Sequence, residues 1–259
     1  PAISYGPVAQ GGPVYLLVAA DAGVLGAYDL GVSWARADGG RAVRLSGVVT
    51  YERHLVTASG YANQGYVPAA FVRVDAVSAA TGQALAETAT NDAGAFEFPE
   101  LLVFGDAGIS VRALAQRFEP TVNFAVRDNP AANSIVAATS AVYDETQVGP
   151  SISVALAVSE ASGAAGAFHL VSLASRADDF VRAALGKSIS PLTLYWTKGT
   201  NAFGCGTCYT DAVVYVGGAA SDPDEYDDSV VLHEIGHHVA RVFSRDDSVG
   251  GDHNGSKTD

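Results

Sequence analysis

Three side chains within five residues carry the chemistry legible in this chain. His233, Glu234 and His237 stand in Val230-Val231-Leu232-His233-Glu234-Ile235-Gly236-His237-His238-Val239, an H-E-x-x-H spacing. On a helix turning about 100° per residue, with His233 at zero, His237 falls near 40° and Glu234 near 100°. Both imidazoles and the carboxylate therefore share one sector about a hundred degrees wide. Two imidazoles so placed offer nitrogen donors to one zinc ion, and the carboxylate between them is placed as a base rather than a ligand. Zinc held this way lowers the pKa of its water to about 7 and polarises a carbonyl, while the glutamate takes the proton. The spacing predicts His233 and His237 as metal ligands, Glu234 as general base, and hydrolysis as the reaction.

The elements around the motif have to aim it. Val231, Leu232, Ile235, Val239, Val242 and Phe243 fall between about 160° and 280°, an apolar back opposite the armed front. Upstream, Asp222-Pro223-Asp224-Glu225-Tyr226-Asp227-Asp228 supplies a helix start, with Asp227 or Asp228 as cap and negative charge at the positive end of the helix dipole. Calcium binding is the second reading of that acidic run. Ala212–Val216 reads as a strand. Strand, acidic loop and metal helix in that order fit a zincin-type site, with an extended peptide adding along Val213–Val216.

The third protein ligand does not follow from the motif. The G-x-x-H continuation is missing, since Ala240 and Phe243 occupy those places, and no glutamate follows Glu234 before Asp259. Asp246, Asp247, Asp252 and His253 are candidates in a Ser/Asp/Gly-rich tail whose other reading is a solvated loop. His253 is a candidate for either third ligand or oxyanion stabiliser. The tail ends in mid-loop, which is expected of a fragment. His54 reads as surface or structural, His169 as a core or surface residue before a ligand, and His238 has no assignment.

The segments Asp224-Glu225-Tyr226-Asp227, His233–Val239 and Asp247–His253 resemble secreted bacterial gluzincin-like metallopeptidases. The resemblance covers roughly the last hundred residues, and its helix motif is the diagnostic part. It implies a glutamate in a Ser-Glu-Gly-type helix as third ligand, C-terminal to residue 259. The missing G-x-x-H is the departure, and the chain as given is then a catalytic half-site.

Composition narrows the classes further. With 28 acidic against 15 basic residues the net charge is -13, which disfavours nucleic acid and anionic membranes as partners. A hydrophobic fraction of 48% supplies real cores. No run of about twenty apolar residues is present to span a bilayer, and Pro1-Ala2-Ile3-Ser4 has no basic signal region. Cys205 and Cys208 are the two cysteines. A redox pair belongs at a helix start and a zinc knuckle needs two more ligands, so a short disulfide in an oxidising compartment is the reading that remains.

Along the chain, residues 14–35 read as an apolar strand, a Gly turn and an alternating strand, and resemble the last hairpin of the pre-peptidase C-terminal β-sandwich domain. Residues 41–128 carry short alternating strands at 43–51, 69–77, 84–90, 95–98, 109–115 and 121–126, separated by Gly/Asn/Asp turns, which indicates a Greek-key sandwich. Pro68 to Val74, Ala80-Thr81-Gly82 and Thr90 to Phe96 resemble the carboxypeptidase regulatory-like, transthyretin-like domain. A linker with one strand is expected at 129–150, a strand at 151–158, a helix from Gly166 to about Gly186, and a strand at Leu192–Trp196. The expected architecture is multidomain: a hairpin remnant at 1–40, an all-β Greek-key sandwich at 41–128, and an α+β zincin-like peptidase subdomain at 151–259. The expected function is a secreted zinc endopeptidase with a protein or peptide substrate, against a non-catalytic surface module or a hydrolase of other substrates.

Overall fold

The computed structural model describes residues 41–103, 108–119, 121–144, 149–201 and 203–244. The expected hairpin at 14–35 and the candidates Asp246, Asp247, Asp252 and His253 lie outside the described residues.

Strand β1 (Arg41–Thr57) is the hub. Its alternation buries Val43, Leu45, Val49 and Tyr51. On one side it pairs in parallel with β10 (Ser151–Val158), from Arg44↔Ser151 to Tyr51↔Val158. On the other it pairs antiparallel with β5 (Ala95–Val103), and further along with β2 (Gly60–Pro68). The strands crowd at Gly47, where a Cβ would lie 2.1 Å from the Val154 carbonyl oxygen, so only glycine fits. A second sheet has the order β4 (Ala84–Ala89), β3 (Arg73–Ser78), β6 (Ile109–Leu114), β9 (Ala137–Thr139), all antiparallel.

The third sheet carries the helices. Its order is β12 (Cys208–Thr210), β13 (Val213–Val216), β11 (Leu192–Trp196), β8 (Val122–Arg127), β7 (Gln116–Glu119). Only Ala115 separates β6 from β7, so one extended stretch leaves the second sheet and enters the third. Helix α1 (Ala165–Leu185) buries Phe168, Leu170, Val171 and Leu173, and stops at Gly186 in the left-handed conformation (φ 67°). Phe180 and Leu185, expected on its apolar side, are exposed. Helix α2 (Asp228–Phe243) is the histidine helix.

The expected architecture, an all-β sandwich followed by an α+β zincin-like subdomain, is not the one observed. The fold is mostly β, with several sheets and two α-helices among the described residues. Strand β10, expected to open the second part, is paired over eight residues with β1 of the first. Strand β8, expected to close the first part, lies beside β11 in the helix-bearing sheet. Val43, Val126, Phe168, Leu194 and Ile235 accordingly belong to one hydrophobic core. The physical reason is that alternation tells a strand which face to bury but not which neighbour to pair with. Parallel pairs in particular are joined by long crossovers that leave no local signal.

Candidate metal centre

The start of α2 is fixed by charge. Asp227 is the N-cap, its Oδ1 accepting from the amides of Ser229 (3.0 Å) and Val230 (3.3 Å). Asp228 begins the helix and turns back onto α1 and β1. Its Oδ1 meets His169 Nε2 at 2.8 Å, and its Oδ2 lies 3.5 Å from Arg53 and 3.7 Å from Arg176. The His169 hydrogen bond, with the charges of His169, Arg53 and Arg176, holds the Asp228 carboxyl below the usual carboxylate range against its partial burial. His169 is thus a buried anchor of the helix and not a ligand.

The back of α2 packs through Val231, Ile235 and His238, all buried, with Val239 and Phe243 partly buried against the core. Leu232 and Val242, expected on this back, are exposed. Leu232 sits at the flank of the apolar sector, and Val242 lies in the last turn. The front presents the motif. His233 Nε2 and His237 Nε2 are 3.1 Å apart, with their rings edge to face. Ligand atoms of His233, Glu234 and His237 all lie within 4.8 Å of one another. Two nitrogens bound at about 2.05 Å to a tetrahedral ion stand about 3.3 Å apart. The spacing found here is close to that, so the sequence-predicted triad is brought together and could hold a metal ion.

A second set of contacts steadies the helix from behind, and sequence reading missed it. His238 Nε2 lies 2.8 Å from the Ile189 carbonyl oxygen, which can only accept. The ring is therefore protonated at Nε2, and Nδ1 accepts from the Tyr209 hydroxyl at 3.3 Å. Burial pushes the His238 pKa below its ordinary value, consistent with this neutral form. Ile189 is itself pinned, its amide donating to Asp178 Oδ1 at 2.9 Å, while Asp178 Oδ2 pairs with Arg182 Nε at 2.8 Å. The Tyr209 ring also lies nearly parallel to that of His237, with centroids 6.3 Å apart. Nothing in the spacing of Tyr209, Ile189 and Asp178 could have flagged them.

Tyr209 belongs to β12, which begins at Cys208. The Cys205 and Cys208 sulfurs are at bonding distance, 2.05 Å, closing the loop before that strand. Strand β12 pairs antiparallel with β13, from Cys208↔Tyr215 to Thr210↔Val213. Val213–Val216 also pairs with β11, so it is not the free edge expected for peptide addition. That edge is β12. In the acidic run, Asp224 Oδ2 accepts from Thr207 Oγ1 at 2.6 Å, so this carboxylate, like Asp227 and Asp228, is engaged within the protein.

No family model matches the chain, and no curated protein does. Among solved structures it is similar to a 9R-lipoxygenase from Cyanothece, at 9% identity and a TM-score of 0.23, over 59% of this chain and 25% of that one. The chain spans a quarter of the lipoxygenase's length, and the likeness bears on neither fold nor site. Among the described residues, no helix is long and apolar enough to cross a membrane.

Proposed function

We propose that this chain carries the metal helix of a secreted bacterial zinc endopeptidase. The observation that supports it is the convergence of His233 Nε2 and His237 Nε2, 3.1 Å apart, with Glu234 beside them on an anchored helix. His233 and His237 would hold zinc, which supplies a water of pKa about 7 and a polarised carbonyl. Glu234 takes the proton of the attacking water and hands it to the leaving amine. Among the described residues the outer edge of β12, next to the Tyr209 contact with α2, has no strand partner, and an extended peptide would add there. If the gluzincin-like resemblance holds, the third ligand would be a glutamate C-terminal to Asp259. A bonded Cys205–Cys208 pair fits an oxidising, extracellular compartment.

The test is zinc content and casein hydrolysis of this chain and of one extended at its C-terminus along its own gene. The extended protein should carry one zinc, and Glu234→Gln should keep the zinc while losing about 10²- to 10⁴-fold in hydrolysis. An extended protein that takes up no zinc ends the enzyme reading in favour of a non-catalytic module. Zinc uptake with activity on other esters or amides but not on peptides would reassign the substrate.

A further inference from the structure

A cavity of about 290 Å³ opens between β2, the turn Asp224–Tyr226 and the loop after β11, lined by none of the triad residues. Its walls include His54, Tyr61, Glu160, Lys198, Glu225 and Tyr226. The aromatic faces cluster: the His54 ring lies 4.8 Å from that of Tyr226, and Tyr61 lies 6.4 Å from it. Glu160 is fully engaged, with Oε1 2.6 Å from Lys198 Nζ and Oε2 accepting from the Tyr226 hydroxyl. The charge of Lys198 is thereby already matched.

Glu225 is matched only in part. It is 2% exposed and its own backbone N–H favours the carboxylate form, but its Oε2 has no hydrogen-bond partner. The indole N–H of Trp196 lies near enough to favour the carboxylate form, yet Trp196 Nε1 closes no hydrogen bond either. The arrangement is built rather than slack. A Cβ at Gly166 would lie 2.7 Å from the Trp196 ring and 2.8 Å from Glu225 Cγ, so the carboxylate is packed from behind. A buried carboxylate without a partner is costly, and a cation brought to it removes that cost. Asp222, Asp224 and Asp227 add negative charge around Tyr61, a field that draws cations and repels anions.

We propose that this cavity is a binding site for a primary alkylammonium group, seated on Glu225 and against the rings of Tyr61 and Tyr226. A carboxylate beside aromatic faces is the pairing that recognises an organic cation. The volume suits a group the size of a lysine side chain, whereas a calcium ion needs six to eight oxygens at about 2.3–2.6 Å, and Glu160 and Asp224 are already engaged. The site uses none of the triad residues, and its ligand is a lysine side chain, a chain amino terminus or a free amine.

The experiment is calorimetric titration of the protein at pH 8 with n-butylammonium, N-acetyl-lysine amide and leucinamide, with n-butanol as the uncharged match. The charged probes should bind one per chain and butanol should not, and the tighter of the two amides names the natural source. Glu225→Gln should weaken butylammonium at least tenfold. Tyr61→Leu, at a partly exposed position, should weaken it a few-fold, with circular dichroism unchanged in both and zinc content unaffected. Equal binding of butanol, unchanged affinity in a folded Glu225→Gln, or displacement of butylammonium by calcium would each overturn the proposal. None of these outcomes depends on peptidase activity.

Discussion

Glu225 and Asp228 are carboxylates three residues apart in the same acidic run, and their surroundings are opposite. Asp228 is met by His169, Arg53 and Arg176, and its pKa is lowered. Burial, with the charges of Glu160 and Asp224, pushes Glu225 up to about 7, although its own backbone N–H and the nearby indole N–H of Trp196 pull the other way. One carboxylate locks the start of the metal helix to α1 and β1. The other sits in a cavity wall, buried beside a hydrogen-bond vacancy. Local acidity therefore says little about role; what counts is whether the fold supplies a partner.

The largest effect should come from breaking the satisfied member. Asp228→Ala leaves His169 buried with no acceptor and should cost about 3 kcal/mol, read as a shift of the denaturant midpoint. A loss below about 1 kcal/mol would mean the pair is no anchor. Relieving the unsatisfied member should act the other way. Because the folded pKa of Glu225 is raised from near 4.5 to about 7, its contribution to stability is fully present below pH 4.5 and lost as pH rises through 7. Glu225→Gln should thus stabilise by about 2 kcal/mol at pH 8 and hardly at all at pH 4. Equal effects at both pH values would show the carboxyl to be solvated.

Asp228 carries the opposite sign. Its stabilisation is present above the ordinary carboxylate pKa of about 3.9 and is lost as pH falls through its lowered folded value. Wild type should therefore be more acid-sensitive than Asp228→Asn below pH 4, and parallel acid limbs would refute the pairing. Smallest is the cap: Asp227→Ala should cost about 1 kcal/mol, while Asp227→Asn, which keeps a side-chain acceptor, should cost less. Equal losses in the two denaturant midpoints would mean that capping is not what Asp227 contributes.

Much of the local structure was legible. The alternation of Ser151–Val158, the strand Leu192–Trp196 and the helix ended by Gly186 stand where the residues say. Strand β2 was missed because Gly60–Pro68 carries no apolar alternation, yet it is held as a strand by antiparallel pairing with β1. Strand β12 was missed because three residues beside a Gly-rich loop carry no period. His169 could be read only as a buried or surface residue, since its partner Asp228 is fifty-nine positions away.

By itself the sequence determined the triad, because i, i+1 and i+4 on a helix share a face whatever surrounds it. It also determined the cysteine pair and the faces that strands would bury. Tertiary structure alone decided that β10 joins β1, that β12 rather than β13 is the open edge, and that Tyr209 and Ile189 clasp His238. Those outcomes depend on pairing energies between segments far apart in the chain, which no local period encodes. The same holds for Glu225: its identity was visible from the start, but its unpaired Oε2 exists only once β2, β11 and α1 have closed around it.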